Sequence, residues 1–330
     1  MWLVVGAAIT LVVSCVVSLG IGAFWIPLPD VVAALLAPLT RSDVAGVHSS
    51  VVWDIRMVRV LLAAAVGAAL AVSGAAFQAT FRNPLVEPYV LGVSSGAAFG
   101  AGVAIVITAV PFSAQGLAFV GGLLAVAVTF AVSRVRGDRS TLVLVLAGIV
   151  VGSFFMAMFS LFQYAASDAQ LRRLVFWVMG GFYTAQWDQV ALAVPVTIAG
   201  VLVLSLLGWR LNILSLGDEE CRALGVAPRP LRLWVVVAAT ALTAIAVSVS
   251  GIIAWVGLLI PHAARFVVGV DNRVLIPFSA MLGAAFLVAC DDIARTIYSG
   301  ELPIGIITSV LGAPLLIVLL RRRTTHWGNS

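Results

Sequence analysis

Residues 141–164 read TLVLVLAGIVVGSFFMAMFSLFQY, a run without a single charged side chain. A helix that crosses the hydrocarbon core of a bilayer needs about 20 mostly apolar residues, so this stretch predicts a transmembrane helix. The whole 330-residue chain has the same character, with 62% hydrophobic residues, 10% charged residues and a mean hydropathy of +1.15. Soluble domains carry about 25% charged residues. The composition therefore excludes a water-soluble enzyme and a disordered chain, and it predicts an all-α polytopic membrane protein.

Ten apolar segments are candidates for membrane spans, and we expect residues 1–330 to form one transmembrane domain. They lie near residues 3–25, 57–77, 91–111, 117–133, 141–164, 190–208, 233–251, 253–268, 274–293 and 304–320. The eighth is the shortest and contains Pro261, so we expect it to be broken. An even number of spans puts both termini on one side. That side collects 13 of the 19 arginines, which predicts that both termini are cytoplasmic.

The chain contains no lysine, and this absence limits its chemistry. A P-loop needs the lysine of G-x-x-x-x-G-K-[ST], so any ATP hydrolysis must come from another chain. The three histidines and three cysteines show no metal-ligand spacing, which predicts no metal site and no enzyme activity. The net charge of +5 fits the positive-inside bias better than nucleic-acid binding, because the arginines are dispersed among apolar spans.

The longest polar insertion on the predicted inner side is residues 209–232. Its centre, GDEECRALGV at 217–226, predicts a short helix that stops at a glycine. It is either an ordinary solvated loop or a docking helix for a cytoplasmic partner.

Two further patterns favour a structural role. Asn83 and Pro84 join the second and third spans and predict a rigid elbow. Gly92, Gly96 and Gly100 are spaced four apart, which makes a ridge for close backbone approach. We favour helix packing over a substrate contact for this ridge.

Three arginines at the predicted outer face could meet an acidic partner. Arg56 and Arg59 share one helix face, and Arg295 ends the ninth span. They are either snorkelling anchors or a docking patch. No acidic residue lies near the centre of a span, which argues against an ion-driven secondary carrier.

The ordered motifs from residue 56 to residue 314 resemble the FecCD-type permease family, the membrane subunits of ABC importers for iron-siderophores, haem and vitamin B12. They are GAALAVSG at 67–74, Gln78, RNPL at 82–85, LGVSSGA at 91–97, RALGV at 222–226, VGLLIPH at 256–262, Arg265, ELPIG at 301–305 and GAP at 312–314. Two motifs depart from the family: Arg56-Met57-Val58-Arg59 lacks a common proline, and residues 251–255 replace Gly-Pro-Ile-x-Phe.

The resemblance implies a BtuC-like type II importer fold of about ten transmembrane helices in the cytoplasmic (inner) membrane. It implies a permease homodimer or a close heterodimer, two ATPase subunits that hold ATP and Mg²⁺, and a periplasmic or lipid-anchored binding protein, with membrane lipid around the spans. By the same resemblance, the ATPase contact comprises Gly217, Glu220, Arg222, Ala223, Leu224, Gly225 and Val226. The resemblance also implies that the binding protein docks at Arg56, Arg59 and Arg295, and that a cytoplasmic gate lies at Ser140 and Thr141. The structural motif comprises Gln78, Asn83, Pro84, Gly92, Gly96, Gly100, Pro261, His262 and Arg265.

The expected function is ATP-driven import of an iron complex, a siderophore or haem, by alternating access. Iron is favoured by the breadth of the family alone. Alternatives are the same machinery carrying cobalamin or an oxyanion, an ATP-independent secondary carrier, and a purely structural membrane scaffold.

Overall fold

The structure is a computed structural model that describes residues 2–22, 24–40, 49–107, 112–134, 141–298 and 300–327, in which all regular elements are helices. The α-helices are α1 (Trp2–Gly20), α2 (Leu28–Thr40), α3 (Val58–Phe81), α4 (Val93–Val106), α5 (Ala114–Arg134), α6 (Thr141–Ala165), α7 (Asp168–Met179), α8 (Trp187–Leu206), α9 (Gly208–Leu216), α10 (Asp218–Ala223), α11 (Pro228–Ser250), α12 (Val256–Val268), α13 (Asn272–Ile297) and α14 (Ile304–Trp327). A π-helical turn, Val51–Met57, precedes α3, and a 3₁₀ turn, Pro88–Leu91, precedes α4.

Helix α3 forms the centre of the bundle, and 21 of its 24 residues are buried. It packs against α8, α11, α12 and α13. Small residues allow this crowding: a Cβ atom on Gly67 would overlap the carbonyl oxygen of Gly283 in α13, and one on Gly74 would overlap that of Gly257 in α12. A second group, α4, α5 and α6, packs together and joins the first through α11.

A helix lies at each of the ten predicted spans. Among the described residues, seven helices are long and apolar enough to cross a membrane, whereas the helices at the other three positions are the shorter apolar ones Val93–Val106, Val256–Val268 and Ile304–Val318, so ten is an approximate number of spans. The chain is therefore a multi-pass integral membrane protein. Three of the described α-helices, α2, α7 and α9, were not predicted. In α2, prolines and Asp30 interrupt the apolar pattern by which the spans were recognised. In α7, Asp168, Arg172 and Arg173 do the same.

The eighth predicted span is broken, but at a different place from the one expected. Residues 251–255 form no regular secondary structure, Trp255 has a left-handed φ of 75°, and α12 then continues through Pro261. Proline lacks the N–H that would bond the carbonyl of Gly257, and the Nε2 of Gln78 donates to that carbonyl instead, at 3.3 Å. The helix survives because another helix supplies the missing donor.

Successive spans carry the chain between two ends of the bundle. One end holds Arg82, α9 and α10, and we call it the α10 end. The other holds Arg59, the end of α13 and Glu301, and we call it the Glu301 end.

Candidate functional site

The α10 end carries a compact polar unit formed by residues 209–232, the coupling segment. Leu211, Leu214 and Cys221 are buried and fix it to the bundle. Asn212 clamps α9 to the start of α13: its side-chain nitrogen donates to Asp271 Oδ1 at 2.7 Å, and its Oδ1 accepts from the backbone N–H of Asn272 at 2.8 Å. The segment is therefore held to the spans as one body.

A salt bridge inside the segment ties α10 to α11. Arg232 Nη2 donates to Asp218 Oδ1 at 2.6 Å. This hydrogen bond with the Arg232 guanidinium holds the pKa of Asp218 below its ordinary value, despite partial burial. Burial raises the pKa of the Cys221 thiol, which makes it a packed, unreactive side chain.

Helix α10 ends as the sequence predicted, at a glycine. Gly225 has a φ of +73°, Val226 N–H donates to Cys221 O at 2.8 Å, and Gly225 N–H donates to Arg222 O at 3.0 Å. These two bonds form a Schellman motif, which requires the left-handed glycine. The motif turns the chain so that Leu224 lies at the surface, with 55% of its area exposed.

The residues predicted to contact an ATPase lie together on this surface. Glu220, Arg222, Ala223, Leu224 and Gly225 are exposed, Val226 is half-buried, and Gly217 is buried at the α9–α10 junction.

Beside Leu224 lies a groove of about 850 Å³ between the end of α8 and α11. Its walls include Trp209 and Trp234, which are 54% and 69% exposed, together with Arg210 and Val226. Sequence reasoning missed both tryptophans: Trp234 falls in the seventh predicted span, and Trp209 directly follows the sixth, where it reads as a residue of the span end. The groove offers a partner an apolar recess with a charged rim.

The Glu301 end carries a second recess, the arginine pocket, of about 420 Å³. Arg56, Arg59 and Arg295 all line it, together with Tyr298 and Glu301. The structure thus brings the three predicted arginines together. Their burial differs from expectation: each is less than 9% exposed, so they are neither snorkelling anchors nor an open patch.

Carboxylates and carbonyls within the chain explain this burial. Arg59 binds Asp291 at 2.7 Å and Glu301 at 2.8 Å, and Arg295 binds Asp291 at 3.2 Å and also Asp292. A buried charge is tolerated only when it is paired and hydrogen-bonded. The spacing of Asp291 and Arg295, four residues apart on a helix, could have revealed one of these pairs.

Arg56 has a different set of partners. Its guanidinium donates to the carbonyl oxygens of Leu19 at 2.7 Å and Phe24 at 2.6 Å. It therefore holds the end of α1 and the following loop against the π-helical turn. The role of the three arginines in docking remains a prediction.

The structural-motif residues lie mainly in the interior, near the α10 end. Gln78 is 3% exposed, its Oε1 accepts from Arg265 at 2.6 Å, and its Nε2 also reaches the carbonyl of Val86 at 3.3 Å. In the elbow, Asn83 Oδ1 accepts from Leu85 N–H at 2.9 Å. The remaining motif residues have these places: Pro84 lies in the elbow, Gly92 has a φ of +83° at the start of α4, Gly96 and Gly100 lie against α5, and Pro261 and His262 are buried in α12.

Two predicted sites have little or no structural description. Ser140 lies outside the described residues, and Thr141 is known only as the first residue of α6. Among the described residues, no group of three His, Cys, Asp or Glu side chains is placed to hold a metal ion.

Comparison with known proteins extends over nearly the whole chain. The model of the FecCD transport family matches residues 10–322. The molybdate import permease MolB of Haemophilus influenzae is 40% identical over 320 residues, covering 96% of this chain and 94% of MolB. The cobalamin import permease BtuC of Halobacterium salinarum is 40% identical over 320 residues, covering 97% and 85%. The hemin transport permease HmuU of Yersinia pestis is 40% identical over 289 residues, covering 84% and 85%.

A solved structure described as an inward-facing conformation of a metal-chelate type ABC transporter has the same fold. It superposes with a TM-score of 0.86 at 36% identity and covers 97% of this chain and 98% of that one. Sequence and fold therefore agree over the full set of spans. The chain belongs to the FecCD transport family and is the permease of an ABC importer, a transport subunit rather than an enzyme, of a kind that works with ATPase subunits and a substrate-binding protein.

Proposed function

We propose that this permease imports an iron complex, a siderophore or haem, across the cytoplasmic membrane by alternating access. It acts as a homodimer with two ATPase subunits and a periplasmic or lipid-anchored binding protein. The chain itself holds no cofactor, and ATP and Mg²⁺ bind to the ATPase. The observation that carries the proposal is the coupling segment, which is fixed to the spans yet exposes Leu224 beside an apolar groove.

In this proposal the α10 end is cytoplasmic. The excess of arginines in the segments at that end supports this orientation, because cytoplasmic loops are enriched in Lys and Arg. It also puts the coupling segment where an ATPase is found.

The coupling segment is suited to transmit motion. The ATPase contacts Leu224 and places an apolar side chain in the groove between Trp209 and Trp234. Because the Asp218–Arg232 salt bridge joins α10 to α11, a displacement of α10 pulls on α11. Helix α11 runs from the α10 end to Ser250 at the Glu301 end, so it carries the displacement across the membrane.

The arginine pocket supports docking of the binding protein at the outer face. Glu301, whose side chain is 40% exposed, covers Arg59 at the mouth of the pocket. An acidic side chain of the binding protein that enters the pocket takes the place of Glu301 against Arg59. Exchange of one carboxylate for another keeps the buried guanidinium paired throughout.

Relatives support two cargo classes. The permease HmuU is named for hemin, an iron complex, which supports the first choice. The second candidate is an oxyanion, which is favoured by the 40% identity to the molybdate permease MolB over 94% of its length. Cobalamin is the third cargo that the uptake experiment below compares.

The coupling proposal is tested with Leu224→Asp, and Leu216→Asp is the matched control. Both leucines are exposed on the coupling segment, at 55% and 59%, but only Leu224 lines the groove. We expect Leu224→Asp to lose the co-purifying ATPase and ATP-driven uptake of haem, molybdate or cobalamin into proteoliposomes, while the control keeps both. Normal ATPase recovery with Leu224→Asp contradicts the placement. Accumulation by the permease without its ATPase contradicts the proposal as a whole and favours a secondary carrier.

Docking is tested at Tyr298, which lies on the rim of the arginine pocket and is 61% exposed. Changing Arg56 or Arg59 would disturb the buried network, whereas Tyr298 can be changed without touching it. We expect Tyr298→Asp to weaken binding of the cognate binding protein and Tyr298→Arg to strengthen it, with both effects reduced at high salt. Equal affinities for the two variants would place docking elsewhere.

A further inference from the structure

A third recess lies at the Glu301 end, away from the arginine pocket. It is a cleft of about 490 Å³ between α7, the first turn of α5 and the end of α11. The polar side chains that line it include Gln115, Arg172, Arg173 and Thr184, and Trp177 forms part of its apolar wall. This volume is in the range of sites that hold small molecules.

Fixed contacts at both ends of α7 build this cleft. At its start, Ser167 and Gln170 form a capping box, and Gln170 Nε2 donates to the carbonyl oxygens of Ile105 at 3.3 Å and Val106 at 3.2 Å. These bonds tie α7 to the end of α4. The two arginines one turn further on are therefore presented from a rigid helix.

At the other end, α7 meets the end of α11 by close backbone approach. Gly181 N–H donates to Ser250 O at 2.8 Å, and a side chain on Gly251, whose φ is +69°, would overlap the carbonyl oxygen of Trp177. Only glycine fits that position. The wall between α7 and α11 is thus closely packed.

The charged side chains that line this cleft are all positive. Arg172 and Arg173 are exposed, and neither forms an ion pair with any described residue. No carboxylate is among the residues that line the cleft. In the arginine pocket, by contrast, Arg59 and Arg295 have acidic partners within the chain.

Two guanidinium groups that have no ion-pair partner in the described part of the chain, beside an apolar wall, form a site for an anion. Arginine presents a planar fork of donors that matches carboxylates and tetrahedral oxyanions. A low-dielectric wall strengthens the attraction, and a cleft of one sign of charge concentrates anions from solution. The Gln115 amide and the Thr184 hydroxyl add neutral hydrogen-bonding groups.

We propose that this cleft is an anion-binding subsite that receives the negatively charged part of the cargo, a carboxylate or an oxyanion, at the outer mouth of the permease. The inference rests on the proposed import function and narrows it: the cargo is anionic. A lipid phosphate has the same chemistry, and the test separates it from cargo.

The first test measures uptake by the complete transporter, with its ATPase and binding protein, in proteoliposomes. The variants are Arg172→Gln with Arg173→Gln, and the charge-conserving Arg172→Lys with Arg173→Lys. The cargo probes are haem, with two carboxylates, molybdate, an oxyanion, and cyanocobalamin, which has no free carboxylate and whose one phosphodiester is balanced by the cobalt centre, so that the molecule carries no net charge. We expect the glutamine pair to raise the KM for haem or molybdate about tenfold or more, with ATPase activity unchanged, and the lysine pair to recover part of the loss. Transport of cobalamin alone, or an unchanged KM for the anionic cargo, overturns the inference and leaves the import function standing.

The second test does not depend on transport. Thr184→Cys places a thiol in the cleft. The partly buried Cys15 is changed to Ser in the same protein, and the two other cysteines, Cys221 and Cys290, are buried. We expect this thiol to react faster with an anionic than with a cationic thiosulfonate, and the glutamine pair to reduce that ratio severalfold. An unchanged ratio overturns the inference even if uptake is normal. If wild type takes up no cargo, the import function fails, and this ratio alone decides whether the cleft attracts anions.

Lipid dependence separates the two sources of the anion. The reagent ratio is measured with 1 mM molybdate added, in vesicles of phosphatidylcholine and in vesicles that contain phosphatidylglycerol. Competition by molybdate in both supports a cargo subsite. Loss of anionic reactivity only with phosphatidylglycerol assigns the cleft to lipid and overturns the proposal.

Discussion

Asp291 is the residue of the arginine pocket whose charge should matter most for stability. Its side chain is 2% exposed and lies between Arg59 at 2.7 Å and Arg295 at 3.2 Å. Asp291→Asn keeps the shape but removes the charge, so each buried guanidinium loses one of its two carboxylates. Breaking a buried ion pair costs about 3–5 kcal/mol, because an uncompensated charge remains in a low-dielectric site.

Glu301→Gln is the matched comparison, since it removes a carboxylate from the same Arg59 at a similar distance of 2.8 Å. The Glu301 side chain is 40% exposed, so water and salt screen its charge, and the loss should be at most about 1 kcal/mol. The measurement is the free energy of unfolding of the purified permease in detergent, followed by circular dichroism. Equal losses for the two variants would refute the reasoning, because burial would then not determine the strength of these pairs.

Two other predictions concern the packing of α3 and the coupling segment. Gly74→Ala should prevent the close approach of α3 and α12 and lower the yield of folded protein, whereas Gly6→Ala, with no neighbouring atom within 4 Å, should be neutral; size-exclusion chromatography distinguishes them. Because its salt bridge to Arg232 lowers the pKa of Asp218, that bridge stabilises the folded chain at neutral pH, and the stabilisation is lost as pH falls through the lowered pKa. Wild type should therefore exceed Asp218→Asn in thermal stability at pH 7 and lose that advantage in acid; an advantage that grows in acid would contradict the sign.

The spans could be predicted from the sequence because hydrophobicity determines them locally. A run of about 20 apolar residues has few other uses, so even the short α4 and α12 were found. The helices α2 and α7 were missed because they lie among prolines and charges and do not depend on a long apolar run. In α7, Arg172 and Arg173 interrupt the hydrophobic pattern, although Ser167 and Gln170 form a recognisable capping box.

The arginine pocket shows why side-chain environments could not be predicted. Arg59 and Asp291 are 232 residues apart in sequence, and no local pattern joins them. The residue types indicated that these arginines were important, but only the packing of α3 against α13 shows that they are buried. The coupling segment was easier to predict from the sequence, because Gly217, Gly225 and the charged residues of α10 indicate its turns locally.

The bond from Gln78 to the carbonyl of Gly257 has a consequence for the transport cycle. Sliding α12 along α3 by even one residue would leave that carbonyl without a donor in a dry interior, because Pro261 has none to give. The end of α3 is therefore fastened to the start of α12, and the two helices must travel together. Any movement that opens the pathway therefore has to occur between other helices of the bundle, such as between α11 and the α4–α6 group.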